Sequence, residues 1–195
     1  MAELINIKLP SALFPFALNQ LEQFQFGDYL LTNVFENVTP EVADACIHLW
    51  RRNRVIPTND AARTRTKEVC YCITDQNSGK VIGVNTLYRA QLGPDSREFW
   101  LNRMFIDPAH RDTRLMIVGT AMMLCFAKTE LEQRGLPGVV NINENRKLSR
   151  PGMQRIFSRL GYRPIGWQNG NEVILFRFAD VTFTEAEPRS GTTPT

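Results

Sequence analysis

A chain of 195 residues is long enough to bury one core without disulfide staples. Its 43% hydrophobic and 22% charged content is that of an ordinary globular domain, and a formal charge of +3 is too small to imply a polyanionic partner by itself. Met1 to Gln20 lacks a basic start followed by an apolar run, and no apolar run reaches membrane length, so a cytoplasmic protein with no membrane attachment is expected. The four cysteines have neither zinc nor CxxC spacing. Cys70-Tyr71-Cys72 is expected to set its two thiols on one strand face, as small core residues in a reducing compartment.

Residues 1–27 mix apolar positions (Leu9, Leu13, Phe14, Phe16, Leu21, Phe24) with Pro10 and Pro15. They read as an N-terminal arm that packs on the domain or meets a partner, and the sequence does not choose. A domain over 28–178 follows. Tyr29 to Phe35 is a first strand. Thr39-Pro40-Glu41 is a helix start: a capping hydroxyl, a proline in the first turn and an acid behind it. Pro57 and Asn59-Asp60 break that helix, and a basic stretch with Arg63, Arg65 and Lys67 follows. Val69–Thr74 and Val81–Tyr88 are strands joined by a turn-rich hairpin connection at 75–79.

Residues 98–106 form another strand, with aromatic and branched side chains at period two, and Asp107-Pro108 stops it. A polar turn, His110 to Arg114, leads into a long helix that ends near Gly135. A strand, a basic turn and a helix N-terminus in succession can hold an anion, because free N–H groups and the positive end of the dipole converge there. On these residues alone, a plain strand–loop–helix with solvated arginines is the favoured reading. Gly138 to Ile142 is a short apolar strand after a crossover, expected to lie parallel to 98–106. A last helix begins at Ser149-Arg150-Pro151. Tyr162–Trp167 and Val173–Phe178 flank Asn169-Gly170, a strong hairpin signal. Residues 179–195 read as a flexible polar tail. The order predicts an α+β domain whose mixed sheet has one central parallel junction.

This order, with these residues, resembles the GNAT superfamily of acetyl-coenzyme A dependent N-acetyltransferases. Ile106-Asp107-Pro108-Ala109-His110-Arg111 is similar to the family's V-x-P-x-x-R entry to its pyrophosphate loop. Phe157-Ser158-Arg159-Leu160-Gly161-Tyr162 is similar to its Y-x-K-x-G-F segment. The resemblance implies a mixed, mostly antiparallel sheet with helices on both faces. It also implies acetyl-coenzyme A as co-substrate, no metal, and transfer of an acetyl group to a primary amine of a small molecule or protein. A homodimer stays open. Two positions depart from the family pattern. Where Q/R-x-x-G-x-G/A places small residues, Arg114 and Met116 stand, unless a shifted register brings Gly119-Thr120-Ala121 into use. Phe157 stands where many members keep a proton-donating tyrosine.

On the resemblance, backbone amides of Met104, Phe105 and Ile106 hold the pantetheine arm and polarise the thioester. Arg111, Arg114 and the helix start (Gly119 and Thr120 in the shifted register) hold the pyrophosphate, and Asn143 faces the arm or the acceptor. Glu98, the only carboxylate of its strand, is the expected base, directly or through water, with a solvated acid as the plain alternative. Asn102 orients that water or satisfies backbone. Ser149 is a candidate proton donor or a helix cap. A binding protein that kept the frame and lost the chemistry competes with the enzyme. Nucleic-acid binding is the less favoured reading: six basic residues (Arg146, Lys147, Arg150, Arg155, Arg159, Arg163) stand against Glu144 between Asn141 and Pro164.

Overall fold

A computed structural model describes residues 4–9, 11–93, 95–111 and 113–185. Eight strands make the main sheet: β2 (Gln23–Phe26), β3 (Tyr29–Asn33), β4 (Val69–Asp75), β5 (Lys80–Leu92), β6 (Arg97–Ile106), β7 (Gly138–Asn143), β8 (Arg163–Gln168) and β9 (Asn171–Arg177). Their order is β2-β3-β4-β5-β6-β7-β9-β8, and only the β6–β7 neighbours are parallel. The expected α+β class and the central parallel junction are both present.

Helices cover both faces. On one lie α1 (Pro40–Arg52) and α2 (Asn59–Thr66). The Thr39 hydroxyl accepts from the Val42 N–H at 3.4 Å, and Cys46, Leu49 and Trp50 pack with Val69, Cys72 and Val84 of the sheet. The basic stretch after the first helix forms α2, which buries only Ala62 and Thr66, too little apolar surface to show a stripe. Its Thr58 cap accepts from the Ala61 N–H.

The other face carries α3 (Thr113–Phe126) and α4 (Pro151–Arg159). α3 is apolar almost all round, as befits a helix covered on two sides. Its outer side is met by a second, parallel sheet, β1 (Ile5–Leu9) with β10 (Val181–Glu185), and by Phe14 and Phe16, all in one core with α3. The N-terminal arm therefore packs on the domain. The tail expected over 179–195 needs correction as far as residue 185: β10 runs to Glu185, and its Phe183 stacks on Phe176 and lies tilted against Phe14. Residues 186–195 lie outside the described residues.

Three local features fix the junction. α3 passes through a π turn (Ala127–Leu131) and a short 3-10 turn to Gly135, whose φ of 82° ends the helix where the sequence predicts. Gly138 opens β7 so close to β9 that a Cβ there would run into the Phe176 carbonyl. The β8–β9 turn takes φ of 49° at Asn169 and 76° at Gly170, the two positive angles a tight hairpin needs.

One expectation about the cysteines is overturned. The β4–β5 register shifts between Val69 and Tyr71, so Cys70 joins the α3-side core while Cys72 faces the Cys46 thiol of α1 at 3.7 Å. The two thiols lie on opposite faces because a bulge resets the alternation. A third apolar cluster consists, among the described residues, of strand residues alone: Tyr88, Ala90, Leu92, Phe99 and Leu101 of the long β5–β6 hairpin meet Val140, Ile142, Val173 and Leu175.

Candidate functional site

The parallel strands touch only briefly. β6 and β7 pair at Trp100–Val139, Leu101–Val140 and Asn102–Asn141, and no further. Beyond this rung β6 continues to Ile106 on β5 alone, and β7 continues to Asn143 on β9 alone. The facing edges of 103–106 and 142–143 are thus left without a strand partner among the described residues. Unpaired strand edges of this kind bind extended chains through their N–H and C=O groups. Met104, Phe105 and Ile106 lie on this free edge.

At the open end, β6 turns into the loop before α3. Asp107 organises it: its carboxylate accepts from the Ala109 N–H at 3.0 Å, from Asn53 Nδ2 at 3.3 Å and from Arg52 Nε at 3.1 Å. These bonds, the Ala109 amide first, hold the carboxyl below the ordinary aspartate value despite some desolvation. The Arg111 Nε donates to the Ile106 carbonyl at 3.3 Å, and its guanidinium lies 5.9 Å from the Phe105 ring. His110 stands edge-on to Tyr29. Arg114 is exposed in the first turn of α3, over Phe26. The first N–H groups of α3 have no acceptor within the helix and sit beside these two arginines. Asp112 lies outside the described residues.

Gly119 and Thr120 do not reach the loop. They are the seventh and eighth residues of α3, past the free N–H groups, and the shifted register is corrected on that ground. Gly119 instead gives Met104 room, since a Cβ there would sit 2.8 Å from the Met104 methyl. The Thr120 hydroxyl donates to the Met116 sulfur.

The closed end of the cleft is polar. Asn102 Nδ2 donates to Asn141 Oδ1 at 3.4 Å, Asn141 Nδ2 to Asn143 Oδ1 at 2.8 Å, and Asn143 Nδ2 to Glu172 Oε2 at 3.0 Å. Gln154 of α4 donates to Glu172 Oε1 at 2.9 Å. This chain of amides runs from the vertex beneath α4 to a buried carboxylate. Asn102 Oδ1 and the Tyr162 hydroxyl are buried without a hydrogen-bond partner. Burial pushes the Tyr162 phenol well above its ordinary value, and Asn102 beside it offsets part of that rise.

Of the remaining expected residues, Glu98 is half-buried opposite Gln91, four residues before the vertex, or about 13 Å along the strand. It shares the sheet face of Asn102. Ser149 lies in the β7–α4 loop but does not cap the helix: the cap is Arg150, with no side-chain bond. Phe157 is buried against Tyr162. Among the basic residues, Arg163 spends donors on Ser158 and the Tyr162 carbonyl.

Asn141, Gln154, Tyr162 and Glu172 were missed by sequence reasoning. A signal existed for one of them: Asn141 and Asn143 recur at period two in the apolar strand GVVNIN, marking one polar face. Glu172 is a lone acid before an apolar run, which the sequence does not distinguish from a turn residue.

Comparison with known proteins bears on the fold. No protein-family model and no curated protein sequence matches the chain. Solved structures do. The ribosomal-protein-S5-alanine acetyltransferase from Vibrio fischeri superposes with a TM-score of 0.52 over 78% of this chain and 94% of that one, at 14% identity. A GNAT-family acetyltransferase from Bacillus anthracis gives 0.52 over 80% and 99%, at 7% identity. AtaTR bound with acetyl-coenzyme A gives 0.55 over 79% and 96%, at 17% identity.

Proposed function

Taking the GNAT fold as its frame, we propose that the chain transfers an acetyl group from acetyl-coenzyme A to a primary amine. One observation carries the reading: β6 and β7 part immediately after Asn102 and Asn141, leaving two free strand edges that end at a loop carrying Arg111 and Arg114. An extended amide-bearing arm suits the edges, and a pyrophosphate suits the arginines with the start of α3. Charge-assisted bonds to such a group are roughly twice as strong as neutral ones.

In the reaction, the amine nitrogen attacks the thioester carbonyl carbon, the carbon–sulfur bond breaks, and the amine gives up a proton. Backbone N–H groups at 104–106 polarise the carbonyl. Glu98 takes the proton through water, because four residues separate it from the vertex. Asn102 orients that water, whose O–H its unpaired oxygen accepts. Ser149 protonates the departing thiolate, a role that Phe157 cannot fill. The acceptor is a small molecule or a protein amine.

The test is release of free thiol from acetyl-coenzyme A in the presence of a panel of amines. Amine-dependent release supports the transferase. Saturable binding of acetyl-coenzyme A without release leaves a binding protein on the same frame.

A further inference from the structure

We propose that the cavity between α4 and the β8–β9 edge is a second binding site, for a small monoammonium ion on a flat apolar body, with Glu172 as its counter-ion. The cavity measures about 400 Å³, and its walls include Phe157, Tyr162, Pro164 and Ile174. Glu172 lines it while only 5% exposed. Each carboxylate oxygen receives one amide donor, from Gln154 and Asn143, and no Lys, Arg or His among the described residues comes within ion-pair distance. A buried carboxylate without a counter-charge is costly, and two neutral amides compensate it only in part.

Tyr162 lines the same cavity, and its buried hydroxyl lies beside Asn102 without a hydrogen bond of ordinary geometry. A ligand in the cavity finds an acid for its ammonium group and the Phe157 and Tyr162 rings for its apolar body. Arg155 stands exposed at the rim and selects against a second positive charge. Glu172 also closes the amide chain that starts at Asn102, so the cavity and the β6–β7 cleft share one network.

The site is tested without acetyl-coenzyme A, so the result does not depend on the transferase reading. The full chain is titrated calorimetrically with phenethylammonium chloride at neutral pH, with 2-phenylethanol as the uncharged match. Saturable one-to-one binding of the amine is expected, with the alcohol weaker by about tenfold or more. Glu172→Gln should weaken the amine to a similar degree. Ser158→Trp, an exposed position lining the cavity, should block it while leaving the buried chain untouched. The proposal is overturned by absence of saturable binding to the wild-type chain, by equal affinity for the alcohol, or by amine binding that survives Ser158→Trp. Should Glu172→Gln fail to fold, Ser158→Trp decides alone.

Discussion

Asn102 and Asn141 face each other at the last rung that β6 and β7 share, and their side chains touch at 3.4 Å. The contact marks the vertex of the cleft and leaves Asn102 Oδ1 unpaired. Asn102→Ala should lower kcat by about tenfold or more, as removal of a positioned polar group does. The KM for acetyl-coenzyme A should hold, because the free edges lie beyond the rung. Steady-state kinetics separates the two effects. A rise in KM at unchanged kcat would place Asn102 in ground-state binding instead.

Arg111 sits at the open end with an exposed side chain. Arg111→Ala should weaken acetyl-coenzyme A by about tenfold, the loss of one charge-assisted contact, with little change in Tm. Calorimetric titration reads the first and thermal unfolding the second. Unchanged affinity removes the pyrophosphate from this loop.

Glu98→Gln should lower kcat by about tenfold or more while sparing acetyl-coenzyme A affinity. An unchanged kcat in the variant assigns the base elsewhere.

Asp107 ties the loop to the end of α1 through Asn53 and Arg52. Its pKa is depressed in the folded chain, so it binds its proton more weakly there than when unfolded. The stabilisation is complete above the unfolded value of about 3.9 and fades as pH falls through the lower folded one. The Tm gap between wild type and Asp107→Asn should therefore be constant near neutrality and close below about pH 4. A gap that grows on acidification would contradict the assignment.

The sequence was most readable where a residue's chemistry dictates geometry by itself. Asp107-Pro108 ends β6, Gly135 ends the helical run, and Asn169-Gly170 turns the last hairpin, because each needs only its own backbone preference. Elements whose stability is tertiary were hidden. α2 has two small buried residues and no stripe, and β10 is a mostly polar strand held by β1 and by Phe183. The face of Cys70 depends on a bulge that no composition reveals. At the site, the cleft and Arg111 were legible as strand, loop and helix. The amide chain was not: it joins residues 102, 141, 143, 154 and 172, which become neighbours only once β9 lies beside β7.

The most direct measurement is amide hydrogen exchange across β6 and β7 with and without acetyl-coenzyme A. If the ligand lies between the parted strands, amides in 103–106 and 142–143 should gain protection together with those at the start of α3, while the β4–β5 hairpin stays as it was. Saturating ligand that leaves 103–106 and 142–143 unchanged would contradict the cleft as the place where the thioester is held.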